Sequence, residues 1–225
     1  MPQLIVTEVT EIGNSFCVAA WDPQRKTMIR PMPNQNYWAA ELVQKINLAQ
    51  GTEFTCTYLG KDWRSHPHRT EDTNVDPSSI AVVSQNFWVN HKERPQEHSS
   101  INQLFGGKEK IQSTWSRARK IFVPENTVCP SLGGVRVSAR TVKFVEESFN
   151  GAPPKLRAHV GAGLLIKDNL SVTCVKLRKE WASSGLDALN KLIRDTDSLH
   201  LRVGLARPFD GMPQKCSVQL NGIIF

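Results

Sequence analysis

The sequence predicts a mainly β fold: two tandem β-barrel lobes with short helices between strands. Three observations carry that expectation. Short stretches alternate apolar and polar side chains between Gly, Asn, Asp and Pro turns, each half holds one helical pattern, and a polar stretch separates the halves.

In the first half, Leu4 to Ile12 (LIVTEVTEI) alternates, Gly13-Asn14 can turn, FCVAAW follows, Asp22-Pro23 turns again, and TMIRPM runs outward to Pro31 and Pro33. Proline cannot donate a ladder hydrogen bond, so the third strand is expected to end there. The spacing of Ala40, Val43, Ile46 and Asn47 before Gly51 suits a short helix. TEFTCTYLG then alternates, and SSIAVVSQ adds strand character. Residues 89–108 are polar and end in Gly106-Gly107, which marks a boundary. EKIQSTWSRARKIF follows, with a helical stripe of Ile111, Trp115 and Ala118. In the last third VRVSARTVKFVEES, KLRAHVGAGLLIKDN and LSVTCVKL read as strands, and SGLDALNKLIRDTD as a helix with a serine N-cap. LHLRVGLARPF and CSVQLNGIIF close the chain as two more strands. The expected division is a first barrel over 1–88, a basic linker with a short helix over 89–133, and a second barrel over 134–225.

The chain's 225 residues suffice for two small cores, and 40% hydrophobic with 22% charged residues is ordinary globular composition. No apolar run approaches the roughly 20 residues that span a bilayer, so a soluble, cytoplasmic protein with no membrane partner is expected. Five singly scattered cysteines, set among apolar or β-branched neighbours, read as buried thiols rather than zinc ligands. The net charge of +7 is uneven: residues 1–80 carry −2, residues 81–140 carry +5 and residues 141–225 carry +4. That distribution favours a polyanionic partner.

Phosphate-binding loops, dinucleotide fingerprints, zinc-protease motifs and nucleophile elbows are all absent from the sequence, so no cofactor is expected and a binding module is favoured over an enzyme. DWRSHPHRTED, with two imidazoles and three carboxylates, holds groups able to ligate a metal, but reads first as a polar loop. Binding single-stranded nucleic acid needs flat side chains for stacking and cations for phosphate. The candidates are Arg30, Tyr37 and Trp38 after the third strand, Trp63 and Arg64, Trp115, Arg117, Arg119 and Lys120, and Arg207. Each aromatic taken singly is better explained by core packing.

Four segments, in order, resemble the dual OB-containing domain family of prokaryotic proteins: SFCVAAWDPQRKTMIRPM (Ser15 to Met32), PHRTED (Pro67 to Asp72), LRVGLARPF (Leu201 to Phe209) and KCSVQLNGIIF (Lys215 to Phe225). Met28 stands where the family commonly has an aromatic and Arg207 where it commonly has an acid, so ligand preference does not carry over. The resemblance implies two oligonucleotide-binding-type (OB-like) barrels and nucleic-acid or nucleotide binding in conflict systems such as antiviral defence. The leading expectation is therefore a non-enzymatic module for single-stranded or distorted DNA or RNA. The rivals are an adaptor for a protein partner of the same system, and a nucleotide-sensing or enzymatic domain using the His66 to Asp72 loop with Arg30 or Arg207.

Overall fold

The computed structural model describes residues 1–61, 70–91, 94–115, 118–148, 150–161, 167–208 and 213–225, with backbone alone at 113–115. Strands take up 52% of the chain and helices 18%, which makes the fold mainly β, as expected.

The first barrel comprises β1 (Gln3–Ile12), β2 (Ser15–Asp22), β3 (Thr27–Pro33), the short β4 (Trp38–Ala39), α1 (Ala40–Lys45), β5 (Glu53–Lys61) and β6 (Asp72–Ser84). Hydrogen bonding runs β1-β2-β3-β6-β5 and back to β1, with β3 and β6 parallel and the other pairs antiparallel. Counting only the five long strands, the order is 1-2-3-5-4-1 with a helix between the third and fourth. This is the closed Greek-key arrangement of a five-stranded OB-like barrel. Leu4, Val6, Val9, Val18, Ala20, Ile29, Trp38, Phe54 and Val75 fill it.

The third strand ends at the expected proline pair: β3 runs through Pro31 and stops at Pro33. The Arg30 amide donates to Glu71 O (2.8 Å) and the Asn34 amide to Val75 O (3.3 Å), so the even residues of this stretch face β6. Pro31 and Pro33 fall on the opposite edge, which β2 has left, and there no donor is required.

The second barrel repeats the order. Its first strand is bent into β10 (Leu132–Ser138) and β11 (Val142–Glu147) around a 3-10 turn at Ala139–Thr141, and β12 (Lys155–Val160), β13 (Lys167–Val172), α4 (Val175–Arg194), β14 (Ser198–Leu205) and β15 (Lys215–Ile224) follow. β11 pairs β12, β12 pairs β13, β13 runs parallel to β15, β15 pairs β14, and β14 returns to β10. Helix α4 closes one end through Leu177, Leu189 and Ile193. The Asn190 side chain, buried against β11, accepts from the Phe144 amide (2.9 Å) and donates to its carbonyl (3.1 Å). α4 begins at Val175, earlier than the expected strand LSVTCVKL allows, because the good helix formers of KLRKEWA follow the strand directly. It breaks at Gly185, whose φ of 82° is a left-handed conformation natural to glycine.

The segment between the barrels is more than a linker. α2 (Phe87–Asn90) is followed by β7 (Glu97–His98), α3 (Ile101–Leu104), β8 (Lys110–Trp115) and β9 (Ala118–Pro124). The helix expected over EKIQSTWSRARKIF is instead a β8–β9 hairpin. Ile121 and Val123 alternate into the second core, and β9 wedges between β13 and β15, so sheet pairing overrides the helical spacing.

The barrels meet along a buried seam. A one-residue bulge at Thr7 in β1 reverses the alternation, so that Glu8 points outward where strict alternation would have turned it in. Glu8 Oε2 accepts from Arg202 Nε of β14 at 3.0 Å, and the two residues are only 2% and 0% exposed. Arg202 Nη1 lies 3.0 Å from His200 Nε2, and both side chains cross so close to Gly134 that a Cβ there would overlap them. Arg202 can only donate, so Nε2 accepts and Nδ1 carries the imidazole proton. Ile5, Trp21, Trp88 and Ile224 form an apolar cluster in the same seam, and Trp88 Nε1 donates to the Val6 carbonyl at 2.7 Å.

Arg202→Met, which strands Glu8 as an unpaired buried charge, is expected to cost about 3–5 kcal/mol in urea unfolding. Adding Glu8→Leu should recover most of the loss. Burial, with Arg202, Arg94 and Arg136 nearby, pushes the His200 pKa down to about 3 from the ordinary 6.5, outweighing Glu97 beside Nδ1. Between those values the unfolded chain takes up a proton that the folded chain refuses, so this stability is complete above pH 6.5 and falls as pH drops toward 3. Comparing wild type with His200→Gln at pH 7.5 and pH 5 should show about 2 kcal/mol more acid destabilisation in the wild type.

Candidate nucleic-acid interface

On β12 the sequence KLRAHV sends Leu156, Ala158 and Val160 into the core, so Lys155, Arg157 and His159 share the outer face. Asn169 of β13 stands opposite His159, and Ser171 opposite Arg157. With Lys120 of β9 and Glu146 and Glu147 at the end of β11, Lys155, Arg157, His159 and Asn169 line a cleft of about 600 Å³. Arg157 Nε is 3.1 Å from Glu147 Oε2, and its Nη1 donates to Ser171 Oγ. Glu147 also accepts from Asn169 Nδ2, which fixes that amide and leaves Oδ1 as an acceptor without a partner. Burial, and the neighbouring Lys167 and Lys143, lower the His159 pKa despite the attraction of Glu147. Lys120 and Lys155 are exposed. The cleft thus offers mobile cations at its rim and a fixed, hydrogen-bonded guanidinium within, a combination suited to phosphate and polar base edges. No aromatic side chain lines it among the described residues.

The equivalent face of the first barrel, on β2 and β3, is not open. Trp21 and Met28 point outward there but pack into the seam, and Met28 Sδ is 3.0 Å from Arg202 Nη2. Arg30 shares that face and is 6% exposed, pairing with Asp72, its partner across the β3–β6 ladder, with Nη2 3.5 Å from Ser131 Oγ. Burial opposes its charge, but Cys17, Asp72 and Glu71 hold the guanidinium more firmly protonated than usual. Glu71 meanwhile accepts from the Ser131 amide at 2.8 Å. The Arg-Pro signal of β3 therefore marks a joint between the barrels, and Arg30 is not the exposed rim cation that the sequence suggests.

Trp38 needs the same correction. It is 1% exposed, its Nε1 donates to the Pro31 carbonyl at 2.7 Å, and its ring meets Phe54 edge-on at 5.8 Å, so it is core and its faces are not open to a base. Arg207 is exposed and lies over the Tyr37 ring at 4.7 Å. Burial raises the Tyr37 pKa, against the opposing charges of Arg207 and Arg30. Arg207 therefore meets Tyr37 directly, whereas Arg30 is held by Asp72 in the seam. Arg119 pairs with Asp168 in a half-exposed ion pair beside the β9–β13 ladder. Among the described residues, Lys120 is the one predicted cation that reaches the cleft on β12 and β13. Trp63, Arg64 and Arg117, with His66 and His68, lie outside the described residues, as does the side chain of Trp115. Among the described residues no group of His, Cys, Asp and Glu could hold a metal ion. Cys56, Cys129, Cys174 and Cys216 are buried and outside any disulfide, and Cys17 is partly buried.

Sequence reasoning passed over Lys155, Arg157, His159 and Asn169. The available signal was the Lys-x-Arg-x-His spacing, which on a strand half-buried in a barrel places three nitrogen-bearing groups on the solvent side. No family model matches the chain, and neither the curated proteins nor the solved structures contain a match. No helix among the described residues is long and apolar enough to cross a membrane.

Structural and surface arginines should separate in urea unfolding. Arg30→Gln, which leaves Asp72 buried without its cation, is expected to cost about 3–5 kcal/mol, whereas Arg207→Gln should change stability by less than about 1 kcal/mol.

Proposed function

We propose that the chain is a non-enzymatic module that binds single-stranded nucleic acid across the outer face of β12 and β13 in the second barrel. The observation that carries this reading is the cleft lined by Lys120, Lys155, Arg157 and His159. It lies on the second and third strands of an OB-like barrel, the face on which such barrels take oligonucleotides. The likeness of fold sets only the place, and the chemistry rests on these side chains. The chain's basic excess supports the same partner by raising the local concentration of a polyanion. Phosphates would lie along Lys120 and Lys155, while Arg157 and His159 face the bases. Without stacking aromatics in the described part of the cleft, electrostatics would carry most of the affinity.

Membership of the dual OB-containing family, and with it a role in prokaryotic defence, belongs to this proposal. It is supported by the order of the four resembling segments and by two barrels that share one strand order.

The test is a binding titration of labelled single-stranded DNA and RNA at two salt concentrations. Wild-type affinity should fall steeply with salt. The Lys120→Ala and Lys155→Ala double variant should bind roughly tenfold or more weakly at low salt and lose about two units of the log–log salt slope, with an unchanged unfolding midpoint. Salt-independent binding, or a double variant with wild-type affinity, would refute the proposal.

A further inference from the structure

A second cleft, of about 510 Å³, opens on the outer face of β10 and β14. Its strands stand across the second barrel from β12 and β13, and it shares no lining residue with the strand-face cleft. Arg136 of β10 and His200 of β14 face each other across the ladder, and Arg94 and Glu97 of the crossing segment form one wall. Leu199, Ile224 and Phe225 supply an apolar side, with Phe225 41% exposed.

Charge and hydrogen bonding select the ligand class. Arg94 is anchored by backbone carbonyls, its Nη2 donating to Phe225 O at 2.8 Å, and its guanidinium lies 5.7 Å from the Trp88 ring centre. Arg136 is exposed and makes no ion pair among the described residues. Glu97 is the single acidic side chain among the described lining residues, and its Oε1 sits 2.6 Å from His200 Nδ1 without hydrogen-bond alignment. His200 stays neutral because burial and three nearby guanidinium groups oppose its protonation. The accepting role of its Nε2 leaves the N–H on Nδ1, buried beside Glu97, so the donors that the cleft presents are the guanidinium groups of Arg94 and Arg136. Such donors match the several oxygens of a phosphate better than a single carboxylate or halide. The volume falls within the range of small-ligand sites, and the exposed Phe225 ring beside Leu199 and Ile224 suits a flat apolar group.

We propose that this cleft binds a phosphate monoester carried on a flat, largely apolar group, of the size of a nucleoside monophosphate. The phosphate lies between Arg94 and Arg136, and the flat group lies against Phe225. The same chemistry is offered by a free nucleotide and by the 5′-phosphorylated end of a nucleic-acid strand. The site stands independently of strand-face binding, because neither cleft uses a residue of the other.

Calorimetric titration of the full chain with AMP, adenosine and a 5′-phosphorylated trinucleotide tests it. AMP should bind saturably, adenosine at least tenfold more weakly, and Arg136→Ala should weaken AMP at least tenfold while keeping the wild-type unfolding midpoint. Lys191→Ala, an exposed charge on α4, controls for net charge and should leave AMP binding as it is. Competition by the trinucleotide assigns the site to a strand's end, and binding of AMP alone assigns it to free nucleotide. Absence of saturable AMP binding at millimolar concentration, equal binding of adenosine, or an equal loss in Lys191→Ala would overturn the proposal.

Discussion

The buried ion pair of Glu8 and Arg202 is the contact on which the arrangement of the two barrels depends. Both charges are removed from water, and the interior offers each of them one ionic partner among the described residues. Such a pair adds little net stability over a well-packed apolar contact, yet once it is buried neither partner can be separated cheaply. Its role here is to specify register. Only one placement of β14 against β1 brings Arg202 to Glu8, and that placement also sets Trp21, Trp88 and Ile224 in contact. The bulge at Thr7 is its local cause, because without the extra residue Glu8 would point into the first barrel.

From that joint follows a division of labour between two lobes of one strand order. The first barrel's outer β2–β3 face is spent on the seam, where Met28, Trp21 and Arg30 meet the second lobe or the segment leading into it. The second barrel keeps its β12–β13 face in solvent, and the β8–β9 hairpin adds a wall carrying Lys120. The opposite side of that barrel, near the seam, gathers Arg94, Arg136 and His200 around a separate cleft. Position along the seam therefore decides which cations are structural and which are available.

Much of the fold was legible in the alternation of side chains. The strands of both barrels, the helix after the third strand of each, and the buried cysteines all follow from periodicity and turn residues. The misreadings share a physical cause: a property of one segment was settled by its partner. The hairpin at 110–124 carries helix-like spacing but completes a sheet between β13 and β15. Trp38 followed a polar turn and looked presentable to a ligand, but its indole closes the barrel by bonding the Pro31 carbonyl.

The candidate site was less legible, for the same reason. Composition indicated that the chain is basic and where along its length the excess lies, because charge is additive and needs no geometry. Which arginine is buried against a carboxylate and which faces water is a pairwise property, set by contacts between residues as far apart as Arg30 and Ser131 or Glu8 and Arg202. By itself the sequence determined the strand periodicity, the two-lobe plan and the sign of the charge, all local or summed quantities. Only the tertiary structure decided that one barrel face is covered and the other open, because burial depends on what a distant segment places on top.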